Sequence, residues 1–290
     1  MAIRRPQFLA IGNVCFDIVN DKKILGGSSA YSAILAHNLG YDAAIVTSVG
    51  TDFSPALLPA GIRIYPQFGN KTTTFVNRET AYGRVQFVRS VAEPIDPDAI
   101  PERLLSARIA YLCPILNDFS PALIDRINAD VIGIAPQGWM RRVGTDGKVH
   151  KQHFAALEQV VPKADVVFVS EEDVENSDLE RLTEQAHILV LTHGKEGAEI
   201  FMDGGREYAY VPAFIKPEID PTGAGDIFGA AFLLHYHETN DPKEAARFGA
   251  WAASFVVQGQ GTSAIPGREQ MLEFPVAAYT ETEAAEITTG

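Results

Sequence analysis

The chain has 290 residues, 46% hydrophobic and 21% charged, a size and balance that bury a substantial core and exclude a disordered polymer. Its 24 Lys and Arg stand against 37 Asp and Glu, a formal net charge of −13, which repels a nucleic-acid backbone but not a phosphate group held by main-chain amides. Two cysteines, Cys15 and Cys113, are too few for a disulfide framework, and no Cys/His spacing suits zinc.

The basic start, Met1 to Arg5, leads into an apolar run too short for a signal peptide; Phe8–Ile11 reads as a first strand. No run approaches membrane-spanning length, so a cytoplasmic protein without membrane contact is expected. Further buried strands are expected at 44–49, 109–113, 131–135, 166–169 and 188–191. Amphipathic helices are expected between them at 29–39, 121–128, 154–161 and 179–185. That alternation predicts an α/β three-layer sandwich around a mainly parallel sheet. Segments near 14–25 and 72–91 break the pattern. They are polar or rich in β-branched and aromatic residues, and 72–77 with 84–91 reads as a hairpin around Ala81-Tyr82-Gly83. They predict a small β-sheet projecting as a lid, which could also serve a homodimer. One domain is expected over 1–275, followed by a frayed acidic tail at 276–290.

The strongest chemical signal is Asp220-Pro221-Thr222-Gly223-Ala224-Gly225-Asp226, which runs into the helical period of Ile227, Ala230, Ala231 and Leu234. A glycine-rich turn entering a helix lets the backbone approach a ligand, and its amides face the positive end of the helix dipole. Gly223, Ala224 and Gly225 thus suit a transferring phosphoryl group. Asp226, at the edge, could take a proton from an attacking hydroxyl. A plain glycine-rich cap is the bland alternative. The turn matches neither G-x-x-x-x-G-K-[ST] nor G-x-G-x-x-G. His235 and His237 suit a helix end, and Trp251 with Phe255, four apart, reads as core-facing more readily than as a stacking platform for a base.

The D-x-x-G-A-G-D core resembles the C-terminal signature of the PfkB/ribokinase family of carbohydrate kinases, met at every position. The likeness runs over roughly residues 8–270. It takes in Gly12-Asn13-Val14-Cys15-Phe16-Asp17, Gly26-Gly27-Ser28-Ser29, Thr192-His193-Gly194-Lys195-Glu196-Gly197 and Val256-Val257-Gln258-Gly259-Gln260-Gly261. The resemblance implies a ribokinase-like fold and ATP-dependent phosphorylation of a polyol hydroxyl. It implies Asp226 as base and Gly223, Ala224 and Gly225 as anion hole. Substrate would lie near Asn13, Asp17, Gly26, Gly27 and Tyr31, and ATP near Thr192, Gly194, Gly197, Gln258 and Gly261. Mg²⁺ would arrive with ATP. The family's N-x-x-E motif appears only as Ser170-Glu171-Glu172-Asp173, which leaves Ser170 and Asp173 as shorter water-mediated partners of Mg²⁺ or as a plain acidic helix start. Asp220 and Thr222 fall where the family often holds K⁺.

Tyr31 stands where the family usually has Asn, adding a flat wall and a hydroxyl. Ala135-Pro136-Gln137-Gly138-Trp139-Met140-Arg141 brings an amide and a guanidinium to a strand end. With Gln137 and Arg141 as substrate contacts, these details resemble the inositol-kinase branch and point first to myo-inositol. A nucleoside or other sugar kinase is the alternative, and a ligand sensor on the same fold a further one.

Overall fold

The computed structural model describes residues 4–80 and 83–275; the expected tail at 276–290 and residues 81 and 82 of the expected hairpin tip lie outside them. Strand β1 (Phe8–Ile11) has all four side chains buried, as a strand covered on both faces requires. Next come β2 (Cys15–Val19) and β3 (Lys22–Gly26), joined at Asn20 and Asp21, both of which take a left-handed backbone, the conformation of a tight two-residue hairpin turn. Helix α1 (Ser28–Asn38) follows, then β4 (Ala43–Val49), β5 (Arg63–Phe68), β6 (Thr73–Thr80), β7 (Gly83–Ser90), β8 (Ser106–Leu112) and β9 (Asn128–Ile134). A short hairpin of β10 (Arg141–Val143) and β11 (Val149–Lys151) precedes α2 (Leu157–Val160), β12 (Val166–Ser170), α3 (Asn176–Gln185) and β13 (Ile188–Thr192). The chain continues with β14 (Gly197–Met202), β15 (Glu207–Pro212), α4 (Ala224–Thr239), α5 (Pro242–Val256) and α6 (Arg268–Leu272).

The main sheet has nine strands in the order β15-β14-β13-β12-β9-β8-β1-β4-β5. From β13 to β5 every pair is parallel, whereas β14 and β15 add an antiparallel edge. Alternation along β1 assigns the layers: Phe8 and Ala10 face the apolar cluster built with α1, α4 and α5, while Leu9 and Ile11 face the opposite cluster, which holds Leu157 and Leu182 of α2 and α3. Helix α1 is buried along Ser28 to Ala36 because it lies between the sheet and α4, which is why that stretch holds only small or apolar residues and Tyr31. Among the described residues no helix is long and apolar enough to cross a membrane.

The second sheet, β3-β2-β6-β7, stands apart from the first and is built from the two segments expected to form a lid. Two expected helices are reduced. Residues 121–128 give a 3-10 turn at Pro121–Arg126, and 154–161 give only the four residues of α2 before a 3-10 turn holding Pro162, whose missing N–H cannot continue a helix. Strands β5, β14 and β15 were not expected. Half-buried β5 carries Pro66 at the sheet edge, where the absent donor faces no partner strand.

Candidate active site

The glycine-rich turn opens α4. Gly223 is its N-cap with φ 85°, and the first bond of the helix runs from the Ile227 N–H to the Gly223 carbonyl at 2.9 Å. The amides of Gly225 and Asp226 therefore lie in the turn that helices leave without internal partners. A Cβ at Gly223 would fall 2.3 Å from the Tyr31 ring, and one at Gly225 would meet open space. Gly223 thus fits its turn over an aromatic floor, whereas Gly225 leaves the approach clear. Ala224 donates to the Pro221 carbonyl at 3.2 Å and Thr222 to the Asp220 carboxylate at 2.9 Å, which shapes the turn.

Asp226 occupies the first turn of α4. Burial raises its pKa to about 6, with Asp17 and Asp173 adding to the rise and a hydrogen bond from Ser28 and the charge of Arg141 opposing it. A carboxylate of that basicity is close to what proton abstraction near neutral pH requires. Tyr31, expected as a flat wall offering a hydroxyl, is instead only 1% exposed and lies beneath Gly223; its phenol is pushed up by burial and then by Asp226 and Asp17.

Asp17 is 9% exposed on β2 and accepts from the Asn77 amide at 3.1 Å. A Cβ on Gly26 would sit 2.4 Å from its carboxylate, and one on Gly27 (φ 95°) 2.6 Å from the Asn13 carbonyl. Both glycines therefore allow two chain segments to approach. Asn13, expected at the substrate, is 1% exposed; its side-chain oxygen accepts from the Ser48 amide at 2.7 Å and its own amide donates to Asp118. Asp118 went unnoticed in the sequence, where it is a lone loop acid. It is 3% exposed and also accepts from the amides of Ile115 and Leu116 at 2.9 and 3.0 Å, yet burial holds its pKa above the ordinary value.

Gln137 and Arg141 do come together, but on Asp173: Arg141 at 3.0 Å and Gln137 in a short bond, one to each carboxylate oxygen. The Ser170 hydroxyl accepts from the Glu172 amide. Each Asp173 oxygen thus already has a donor, so the pair does not fit direct ligation of Mg²⁺. No cluster of three acidic, His or Cys side chains suited to a metal occurs among the described residues.

At the end of β13, Thr192 is followed by Gly194 at φ 55° with open space at its Cβ position, and by Gly197, whose Cβ would fall 2.2 Å from the Val211 carbonyl. His193, between Thr192 and Gly194, is held by Glu171 at 2.8 Å and Glu199 at 2.9 Å; burial lowers its pKa, but the two glutamates outweigh this and raise it. Gln258 is exposed; Gly261 is buried, and a Cβ there would meet Ile24 at 2.4 Å, so it serves the packing of β3. Trp251 and Phe255 are half-buried, Trp251 packing against the main core as expected, with the Lys216 ammonium 4.5 and 3.0 Å from the two ring centres.

Known proteins are similar to this chain. The model described as "pfkB family carbohydrate kinase" matches residues 17–268. A cytidine kinase of Thermococcus kodakarensis is 27% identical over 286 residues, covering 88% of this chain and 97% of that protein. An inositol 3-kinase of Zea mays is 26% identical over 253 residues, covering 77% of this chain and 65% of that one. A solved pyrophosphate-dependent kinase in the ribokinase family, complexed with a pyrophosphate analog and myo-inositol, superposes with a TM-score of 0.74 at 20% identity, over 91% of this chain and 99% of that chain.

Proposed function

This chain belongs to the pfkB family of carbohydrate kinases, ATP-dependent enzymes acting on sugars, nucleosides or cyclitols, and from that premise we propose that its acceptor is a cyclitol, with myo-inositol as first candidate. Asp226 takes the proton of the attacking hydroxyl as the new O–P bond forms and the bond to the ADP oxygen breaks. The amides of Gly223 and Gly225 stabilise the charge on the transferring group, while that of Ala224 is held by the Pro221 carbonyl. Mg²⁺, when bound with ATP, would neutralise the phosphates, with Ser170 and Asp173 reaching it only through water.

The observation that carries the acceptor reading is the row of polar side chains Asp17, Asn77, Gln86 and Arg141, bonded one to the next beside the base. A ring of hydroxyls needs many such partners. Phe75, which shares the Asn77 side of β6, is 3% exposed and packed away, so it offers no platform for a base. A nucleoside is the second reading, favoured by the near-complete alignment with the cytidine kinase.

The test is an ATP-consumption screen against myo-inositol, ribose, fructose, adenosine and cytidine, with pyrophosphate as a control donor and K⁺ exchanged for Na⁺ at fixed ionic strength. Sites built on hydroxyl hydrogen bonds discriminate by about 10⁴ against analogues lacking them, so kcat/KM for myo-inositol should exceed the others by far. Preference for cytidine or adenosine would replace the cyclitol by a nucleoside. Faster turnover in K⁺ is expected if Asp220 and Thr222 help to hold a cation; equal rates would remove that site.

A further inference from the structure

The row of polar side chains has a direction. Arg141 can only donate and Asp17, when ionised, can only accept. Between them the Arg141 Nη1 donates to Gln86 Oε1 at 3.4 Å, Gln86 Nε2 to Asn77 Oδ1 at 3.0 Å, and Asn77 Nδ2 to Asp17 Oδ1 at 3.1 Å. Both amides are thereby oriented by the ends of the row. Asn77 and Gln86 face each other across β6 and β7, and Asp17 lies on the neighbouring β2. Arg141 does not belong to that sheet: it begins β10, and its other nitrogen, Nη2, donates to Asp173.

The same boundary is crossed elsewhere: β2 and β3 send Phe16 and Leu25 into the main core, and β7 meets the body directly. Val88 of β7 donates its main-chain N–H to the Gly147 carbonyl in the β10–β11 turn at 2.8 Å. Cys15 and Phe75 of the small sheet form one buried cluster with Ile115 and Leu116 of the body, joined by Val88 and Val149. The β6–β7 side of the small sheet is thus docked on the body by an apolar patch and a main-chain bond, and the Gln86–Arg141 contact is the one of these that ends in a charge facing the base.

We infer that Gln86 is a positioning residue: docking of the small sheet presents its amide oxygen to Arg141 and so fixes the guanidinium between Asp173 and the catalytic centre. The sheet then acts on the chemistry, in addition to covering it. This rests on the proposed reaction, in which the centre is Asp226 and the transferring phosphoryl group. A guanidinium held from two sides keeps its charge in one place with little loss of rotamer freedom when substrate arrives.

The experiment is a double-mutant cycle with Gln86→Leu, Arg141→Gln and the double variant, assayed with ATP and the acceptor preferred in the screen. Gln86→Leu should lower kcat about three- to tenfold, the range of one ordinary hydrogen bond, with KM for ATP unchanged. The double variant should be no slower than Arg141→Gln alone, because Gln86 acts only through Arg141. Independent, multiplying losses, or an unaltered kcat in folded Gln86→Leu, would overturn the inference. Hydrogen exchange in the protein without ligands separates this from the proposed acceptor. Amides of β7 should exchange faster, by a similar factor, in Gln86→Leu and Arg141→Gln. Unchanged exchange there would sink the link between sheet and guanidinium even if the kinase assignment stands.

Discussion

At the scale of single residues, the carboxylate proposed as base has a stability consequence with a definite sign. Asp226 ionises less readily in the folded chain, near 6, than at the ordinary value of 3.8, chiefly because it is buried. Its ionisation therefore opposes folding: stability falls as pH rises from about 4 through about 6 and stays lower above. Asp226→Asn removes that cost. It should lower kcat by about 10²–10⁴, the scale of a general base, while raising Tm at pH 7.5 by a few degrees. The gain should vanish below pH 4. Pairing thermal melts at the two pH values with single-turnover rates checks both halves, and near-normal turnover in the folded variant would assign the base elsewhere. The active enzyme should likewise lose kcat/KM as pH drops through about 6, as Asp226 becomes protonated. Asp226 could be read from the sequence because its signal is local, seven consecutive residues. Asp118 could not, since its partners Asn13, Ile115 and Leu116 come from two strand ends that only the fold brings together. Asn77 and Gln86 escaped for the same reason. As residues of a polar hairpin they look like solvent-facing positions, and their role appears only when the hairpin meets Arg141.

Among the elements, the 223–225 turn is the least tolerant. Gly223 has φ 85°, and any Cβ there would overlap the Tyr31 ring. Gly223→Ala should therefore combine backbone strain with overpacking and cost about 2–4 kcal/mol, visible as a loss of urea midpoint with unchanged m-value. Activity should fall more than stability explains, because the shifted turn no longer aims its amides. Gly225→Ala, at a position with open space around the Cβ, should leave the fold intact. Equal destabilisation by the two substitutions would contradict the packing described. The regular elements were mostly legible from periodicity: β1, β4, β12 and β13 are short apolar runs ended by polar or glycine residues. The two weakened helices were not, because 121–126 and 154–163 have apolar spacing without the length or the proline-free turns a helix needs. Strands β14 and β15 hid behind charge and aromatic residues, since an antiparallel edge exposes one side.

For the molecule as a whole, the two larger sheets and three apolar clusters set how ligands and stability are coupled. The main sheet with its helices buries most of the core, to which β2 and β3 add Phe16 and Leu25, whereas the β6–β7 hairpin rests on the body through the far smaller patch of Cys15, Phe75, Ile115 and Leu116. An element with few buried apolar contacts opens at low free-energy cost, so ligands beneath it gain most by holding it down. A ligand at 100 times its Kd stabilises the native state by about 2.7 kcal/mol. In a chain of this size that is a rise in Tm of about 5 °C. If a non-hydrolysable ATP analogue and the acceptor were independent, their shifts would add. Because the small sheet carries Asp17 and Asn77 on the proposed acceptor side and reaches Arg141 through Gln86, each ligand should strengthen the docking that the other uses. A coupling of about 1–3 kcal/mol is the ordinary range for such linkage, so both ligands together should raise Tm by about 2–6 °C beyond the sum of the separate shifts. Leu116→Ala, which weakens the patch away from the catalytic groups, should reduce that excess while leaving the shift from the ATP analogue alone nearly intact. Strictly additive shifts in the unaltered protein would mean that the small sheet covers the acceptor without linking it to the nucleotide.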